Sequence, residues 1–84
     1  MELVRDWAER HDLEPLIVFD GRAPVAAEDV VGTGREIADD WIAREALSYV
    51  PYWLVTSDRE LRARAGVTAE RVLGGGAFAR ELTR

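Results

Sequence analysis

Leu16-Ile17-Val18-Phe19-Asp20-Gly21 is the stretch on which the fold turns. Four apolar residues follow one another without alternation and stop at an acid and a glycine. A run of this kind suits a strand covered on both faces, as in a parallel sheet packed between helices. Downstream, Tyr52-Trp53-Leu54-Val55-Thr56 repeats the pattern and stops at Ser57-Asp58. Val30-Val31 and Arg71-Val72-Leu73 are shorter strand candidates.

Helical periods fill the intervals. Leu3, Val4, Trp7, Ala8 and His11 recur at helical spacing and predict a helix from about Glu2 to Asp12, which Pro15 closes off. Residues Gly21 to Ala27, punctuated by Pro24, read as loop. Thr33-Gly34-Arg35-Glu36 has the spacing of a capping box, in which hydroxyl and carboxylate satisfy each other's amide donors at a helix start. The helix it predicts runs to about Tyr49, with Ile37, Ala38, Trp41, Ile42 and Ala46 as its apolar stripe. Ser57-Asp58-Arg59-Glu60 offers a second box, opening a helix to about Ala65 that Gly66 ends. Gly74-Gly75-Gly76 reads as a turn before a last helix, Ala77 to Leu82. Strands alternating with helices imply an α/β fold with a mostly parallel sheet and helices packed on it, one domain over residues 1–84.

Composition narrows the classes. With 84 residues the chain buries only about 60% of its unfolded surface, so its core is thin. It has no cysteine, which excludes disulfides and thiolate metal sites. The longest apolar run is too short to cross a bilayer. The N-terminus has acids and an arginine among its apolar residues, unlike a signal peptide, so the expected location is the cytoplasm. The charge is uneven: five arginines stand against thirteen acids up to Asp58, and six against three from Arg59 onward. Ordinary surface charge accounts for this, and so does a site where carboxylates hold cations and arginines meet phosphate.

Asp20 ends one strand, Asp58 follows another by two residues, and Asp39 and Asp40 fall in the first turns of the helix between them. In parallel sheets, ligands gather outside the carboxyl ends of the strands. Singly, each acid has an ordinary explanation: a turn after a strand, or a negative charge near a helix N-terminus. Jointly they fall at the same end of the sheet, where carboxylates suit a hard cation such as Mg2+ or Mn2+.

Phe19-Asp20-Gly21, Ala38-Asp39-Asp40-Trp41-Ile42 and Val55-Thr56-Ser57-Asp58-Arg59 stand in an order that resembles the NYN branch of the PIN-like nucleases, the YacP-type proteins above all. The closing Gly-Gly-Gly-Ala-Phe-Ala-Arg-Glu-Leu also resembles the family's ending, so the likeness extends from Leu16 to Leu82. It implies a three-layer α/β/α PIN-like sandwich, Mg2+ or Mn2+ binding, and endoribonuclease chemistry on RNA phosphodiesters. Asp39 and Asp58 match the family's acidic positions best; Asp20 and Asp40 match as further catalytic and metal-binding carboxylates. Ser57, Arg59 and Arg62 are the expected phosphate or RNA contacts. The chain departs from the family by lacking the first strand with its "VDG-x-N" motif, a source of one metal-binding aspartate and of the central strand. Relative to the family it is therefore shortened at the N-terminus, with a reduced sheet. Its neighbouring strands must pair directly or a partner must fill the gap, strand exchange between two copies being one route. The rival expectation is a catalytically degenerate module that binds RNA or protein, or oligomerises.

Weaker features complete the sequence. Gly74-Gly75-Gly76 before a helix suits a phosphate cradle, but has no Walker or Rossmann spacing. Arg62 and Arg64 also read as a solvated helix face. Trp7, Trp41 and Trp53 suit base stacking, while the apolar settings of Trp41 and Trp53 favour the core. His11, the only histidine, reads as a surface or boundary residue, which leaves a zinc site or histidine triad poorly supported.

Overall fold

The computed structural model describes all 84 residues, Met1–Arg84. Its elements are α1 (Glu2–Arg10), β1 (Ile17–Phe19), β2 (Val30–Gly32), α2 (Ala38–Glu45) extended by a 3-10 turn (Ala46–Tyr49), β3 (Trp53–Val55), α3 (Arg59–Ala65), β4 (Arg71–Leu73) and α4 (Gly75–Leu82). The strands form two small parallel sheets, β1 with β2 and β3 with β4. Ile17 pairs with Val30 in the first, and Leu54 with Val72 in the second. The two sheets share no strand pairing, so β1 and β3 do not close on each other. No helix is long and apolar enough to cross a membrane.

Side-chain alternation along β3 and β4 divides the core in two. Leu54 points to one face, where it joins Ala46, Leu61 and Ala65, with Ile42, Ala43, Tyr52 and Val72 packed around them. Trp53 and Leu73 point to the other, where Trp7 and Ala8 of α1 are buried against Phe78 and Leu82 of α4. Thus α2 and α3 cover one face of β3–β4, and α1 and α4 the other. Trp7 meets Phe78 edge to face at 5.1 Å and Trp53 at 5.8 Å. Arg71 lies over the Trp53 ring at 4.9 Å.

Several sequence expectations shift. The helix expected from Thr33 begins instead at Ala38, with Ile37 as its N-cap residue. Thr33 is drawn away from capping because its hydroxyl donates to the carbonyls of Phe19 and Glu36. The buried stripe of α2 moves with it, to Ile42, Ala43 and Ala46, while Ile37 is 55% exposed. The second box also slides by one residue: Asp58, not Ser57, caps α3 by accepting the Leu61 N–H at 2.9 Å. Trp7 is core rather than a stacking surface, and its neighbour His11 lies exposed, stacked on the Trp7 ring at 4.1 Å. Trp53 belongs to that same cluster, whereas Trp41 is half-buried and joins neither cluster.

Gly32 shows why the loop after β1 lies where it does. A side-chain carbon there would strike the Ala23 amide nitrogen and approach the Gly21 carbonyl at 2.7 Å, so only glycine fits. Gly21 itself takes a left-handed φ of 70°, which turns the chain sharply after Asp20.

Leu61 is 2% exposed and central to the α2–α3 side of the core. Leu61→Ala is expected to cost about 3 kcal/mol and lower the urea midpoint at an unchanged slope. An unmoved midpoint would show that this cluster does not hold the fold together.

Candidate acidic site

Three carboxylates from separate elements meet at the C-terminal ends of β1 and β3. Asp20 leaves β1, Asp39 lies in the first turn of α2, and Asp58 stands between β3 and α3. Asp39 feels both of the others: its carboxyl is held above the ordinary range, first by partial burial, then by the charge of Asp58 and a hydrogen bond with it, with Asp20 and Glu60 adding repulsion. Asp58 moves the opposite way, held below the ordinary range chiefly by the Leu61 backbone N–H. The nearest cation is Arg64, which bonds Asp40 and also feels the charges of Glu60 and Asp39.

Backbone donors fix two members of the trio. Ala38 N–H donates to Asp20 Oδ1, so a residue 18 positions upstream supplies the cap that Ile37 cannot. Asp58 does the same for α3. Asp40 is turned toward α3, where Arg64 Nη1 donates to its Oδ1 at 2.8 Å. Of the four acids expected from the sequence, Asp39 feels both Asp20 and Asp58, and Asp40 is held in an ion pair with Arg64. No three acid or imidazole side chains stand at the spacing of a closed metal-ligand group.

The expected phosphate contacts separate. Ser57 Oγ accepts the Gly75 N–H at 3.0 Å, binding the end of β3 to the start of α4. A side-chain carbon on Gly75 would collide with that oxygen, which explains a glycine there. One on Gly74 would meet Arg62 Nη2 at 3.5 Å, so Arg62 also reaches the start of α4. Arg59 opens α3 beside Asp58, exposed and outside every ion pair. Arg80 on α4 places its guanidinium 3.9 Å from where a Gly76 side chain would begin, an ordinary contact within one helix.

A scan against protein-family models finds no match for this chain, and searches of curated proteins and of solved structures find none either. The site therefore stands on its own geometry.

The opposed shifts give opposite mutational signs. Ionised Asp39 weakens the fold at neutral pH; the penalty fades as pH falls through its raised folded value and is gone below the unfolded value of about 3.9. Asp39→Asn should therefore raise the melting temperature at pH 7, with the gain vanishing in acid. Asp58 stabilises the fold above about pH 3.9, and its contribution disappears as pH falls through its lowered folded value. Asp58→Ala should lower the melting temperature at pH 7. Thermal melts of both variants at pH 7 and pH 3 check the pair, and equal signs at pH 7 would contradict the electrostatic assignment.

Proposed function

We propose that this chain is a PIN-like domain of the NYN branch that binds Mg2+ or Mn2+ at its carboxylate cluster and hydrolyses RNA phosphodiesters. The observation that carries the reading is the placement of Asp20 after β1, Asp58 after β3 and Asp39 in the first turn of α2, where partial burial first, and then the charges of Asp58 and Asp20, hold the Asp39 carboxyl above the ordinary range. Like-charged carboxylates held together in this way are relieved by a cation. Their all-oxygen donor set suits a hard divalent ion that keeps several waters. The order of elements supports the family reading, as does the position of the Phe19-Asp20-Gly21, Ala38-Asp39-Asp40 and Thr56-Ser57-Asp58 segments at strand ends and a helix start. Helices on both faces of β3–β4 are in keeping with a three-layer sandwich.

In this reading Asp39 and Asp58 hold the ion, and Asp20 supports it directly or through water. Asp40 is a reserve carboxylate that must first leave Arg64. When bound, the cation polarises a phosphoryl oxygen and lowers the pKa of an attacking water. Arg59 and Arg62 offset the charge of the RNA backbone, and the N-terminus of α4 presents its positive end beside Ser57.

One observation favours a second reading, a catalytically degenerate module that binds RNA or protein. Asp20 and Asp58 already satisfy helix amides, Asp40 is paired, and no closed ligand group exists. Calorimetry separates the two readings. The nuclease reading expects Mn2+ or Mg2+ binding by the wild type, its loss in the Asp39→Asn, Asp58→Asn double variant, and metal-dependent cleavage of single-stranded RNA by the wild type alone. A wild type that binds no cation at millimolar concentration hands the site to the second reading.

A further inference from the structure

The carboxylates of the acidic site are engaged in different ways. Asp20 and Asp58 accept the backbone N–H groups of Ala38 and Leu61. Asp40 alone among Asp20, Asp39, Asp40 and Asp58 is in an ion pair, with Arg64 Nη1 on its Oδ1 at 2.8 Å. The one cation paired with any of them is thus the chain's own. A guanidinium in that place stands in for an ion: it offers a single positive charge through N–H donors, where a divalent metal offers two through direct bonds to oxygen.

The packing of α2 on α3 puts Arg64 there. Ile42, Ala43 and Ala46 meet Leu61 and Ala65. Glu60 and Arg64, four residues apart, each precede one of those two buried residues and so share a stripe beside the contact. The acidic start of α2 borders that stripe through the Asp40 bond.

This pair is held differently from the one that tethers α1. Arg5 grips Asp29 with two donors, at 2.6 and 2.8 Å, and the two side chains are 33% and 24% exposed. Arg64 holds Asp40 with one donor, and the side chains are 39% and 48% exposed. A single-point pair so open to water stabilises a fold little and exchanges readily. A monovalent ion that replaced Arg64 would restore only the charge it removed. A divalent ion brings one charge more to carboxylates that repel each other.

We propose that Arg64 is the resident counter-ion of the acidic site: it holds Asp40 in the absence of metal, and a divalent cation, but not a monovalent one, displaces it and recruits Asp40. This deepens the metal-binding reading and rests on it. Arg64 is a positioning residue here, acting through Asp40, and the ion pair sets both the affinity of the site and its preference for double charge.

Calorimetry with Mn2+ compares the wild type with Arg64→Gln, Arg64→Lys, Asp40→Asn and the Arg64→Gln, Asp40→Asn double variant, each first shown to keep the wild-type far-UV spectrum. Arg64→Gln should tighten Mn2+ binding about fivefold, Arg64→Lys should return it most of the way to the wild-type value, and the Asp40→Asn background should erase the gain. In 15N-labelled wild type, Mg2+ should move the Arg64 Nε–H resonance toward its position in metal-free Asp40→Asn, and NaCl at equal ionic strength should not. No gain from Arg64→Gln, or a gain that persists in the Asp40→Asn background, would overturn the proposal and leave the metal reading standing. So would an Arg64 Nε–H resonance that bound Mg2+ leaves in place. Failure of both wild type and Arg64→Gln to bind Mn2+ at millimolar concentration would sink the metal reading and this proposal together.

Discussion

The β3–β4 ladder is the element on which the rest leans, because its two faces are divided between the two halves of the core. Leu54 and Val72 send their side chains toward α2 and α3; Trp53 and Leu73 send theirs toward α1 and α4. Every helix is thereby anchored to one pair of three-residue strands. The β1–β2 pair has no comparable cluster of its own, and its connection to the remainder runs through α2 and the Arg5–Asp29 ion pair. A polar tether of that kind is weaker than burial and exposed to salt, and with α2 it joins a β1–β2 half to a β3–β4 half.

The acidic site lies where those halves meet. Asp20 comes from the β1–β2 half and Asp58 from the β3–β4 half, while Asp39 rides on the helix that touches both. Charge at the junction therefore works on the relative position of the halves as well as on any ligand. Repulsion within the trio opposes close approach, and backbone amides of Ala38 and Leu61 hold Asp20 and Asp58 in place against it. The arginines are set one shell farther out: Arg64 is committed to Asp40, and Arg62 stands at the start of α4.

Much of the fold was legible because the strands are short apolar runs ended by turn residues. All four strands and all four helices stand in the expected order, with boundaries displaced by a few residues. The start of α2 was not legible, since its cap comes from Asp20, far away in sequence, while Thr33 found carbonyl partners locally. Pattern reading also cannot weigh Ile37 against Ala43, because both suit an apolar stripe until the helix start is known. The split between sheets is likewise invisible to a local signal; pairing depends on how helices space the strands. For the site, strand-end position put Asp20 after β1 and Asp58 after β3, with Asp39 in the first turn of α2, but the pull of Arg64 on Asp40 required the tertiary packing of α2 on α3.

The capping role of Asp20 and Asp58 has an entropic consequence. A carboxylate on a free side chain loses rotamer freedom when it grips a ligand, and that loss subtracts from affinity. Here helix formation has already taken the loss, so the two side chains meet any newcomer in a fixed pose. The same bonds make the newcomer a competitor of the helix ends: drawing Asp20 away from Ala38 loosens the first turn of α2, on which Asp39 is carried. Ligand grip and helix order at this junction are thus two sides of a single equilibrium.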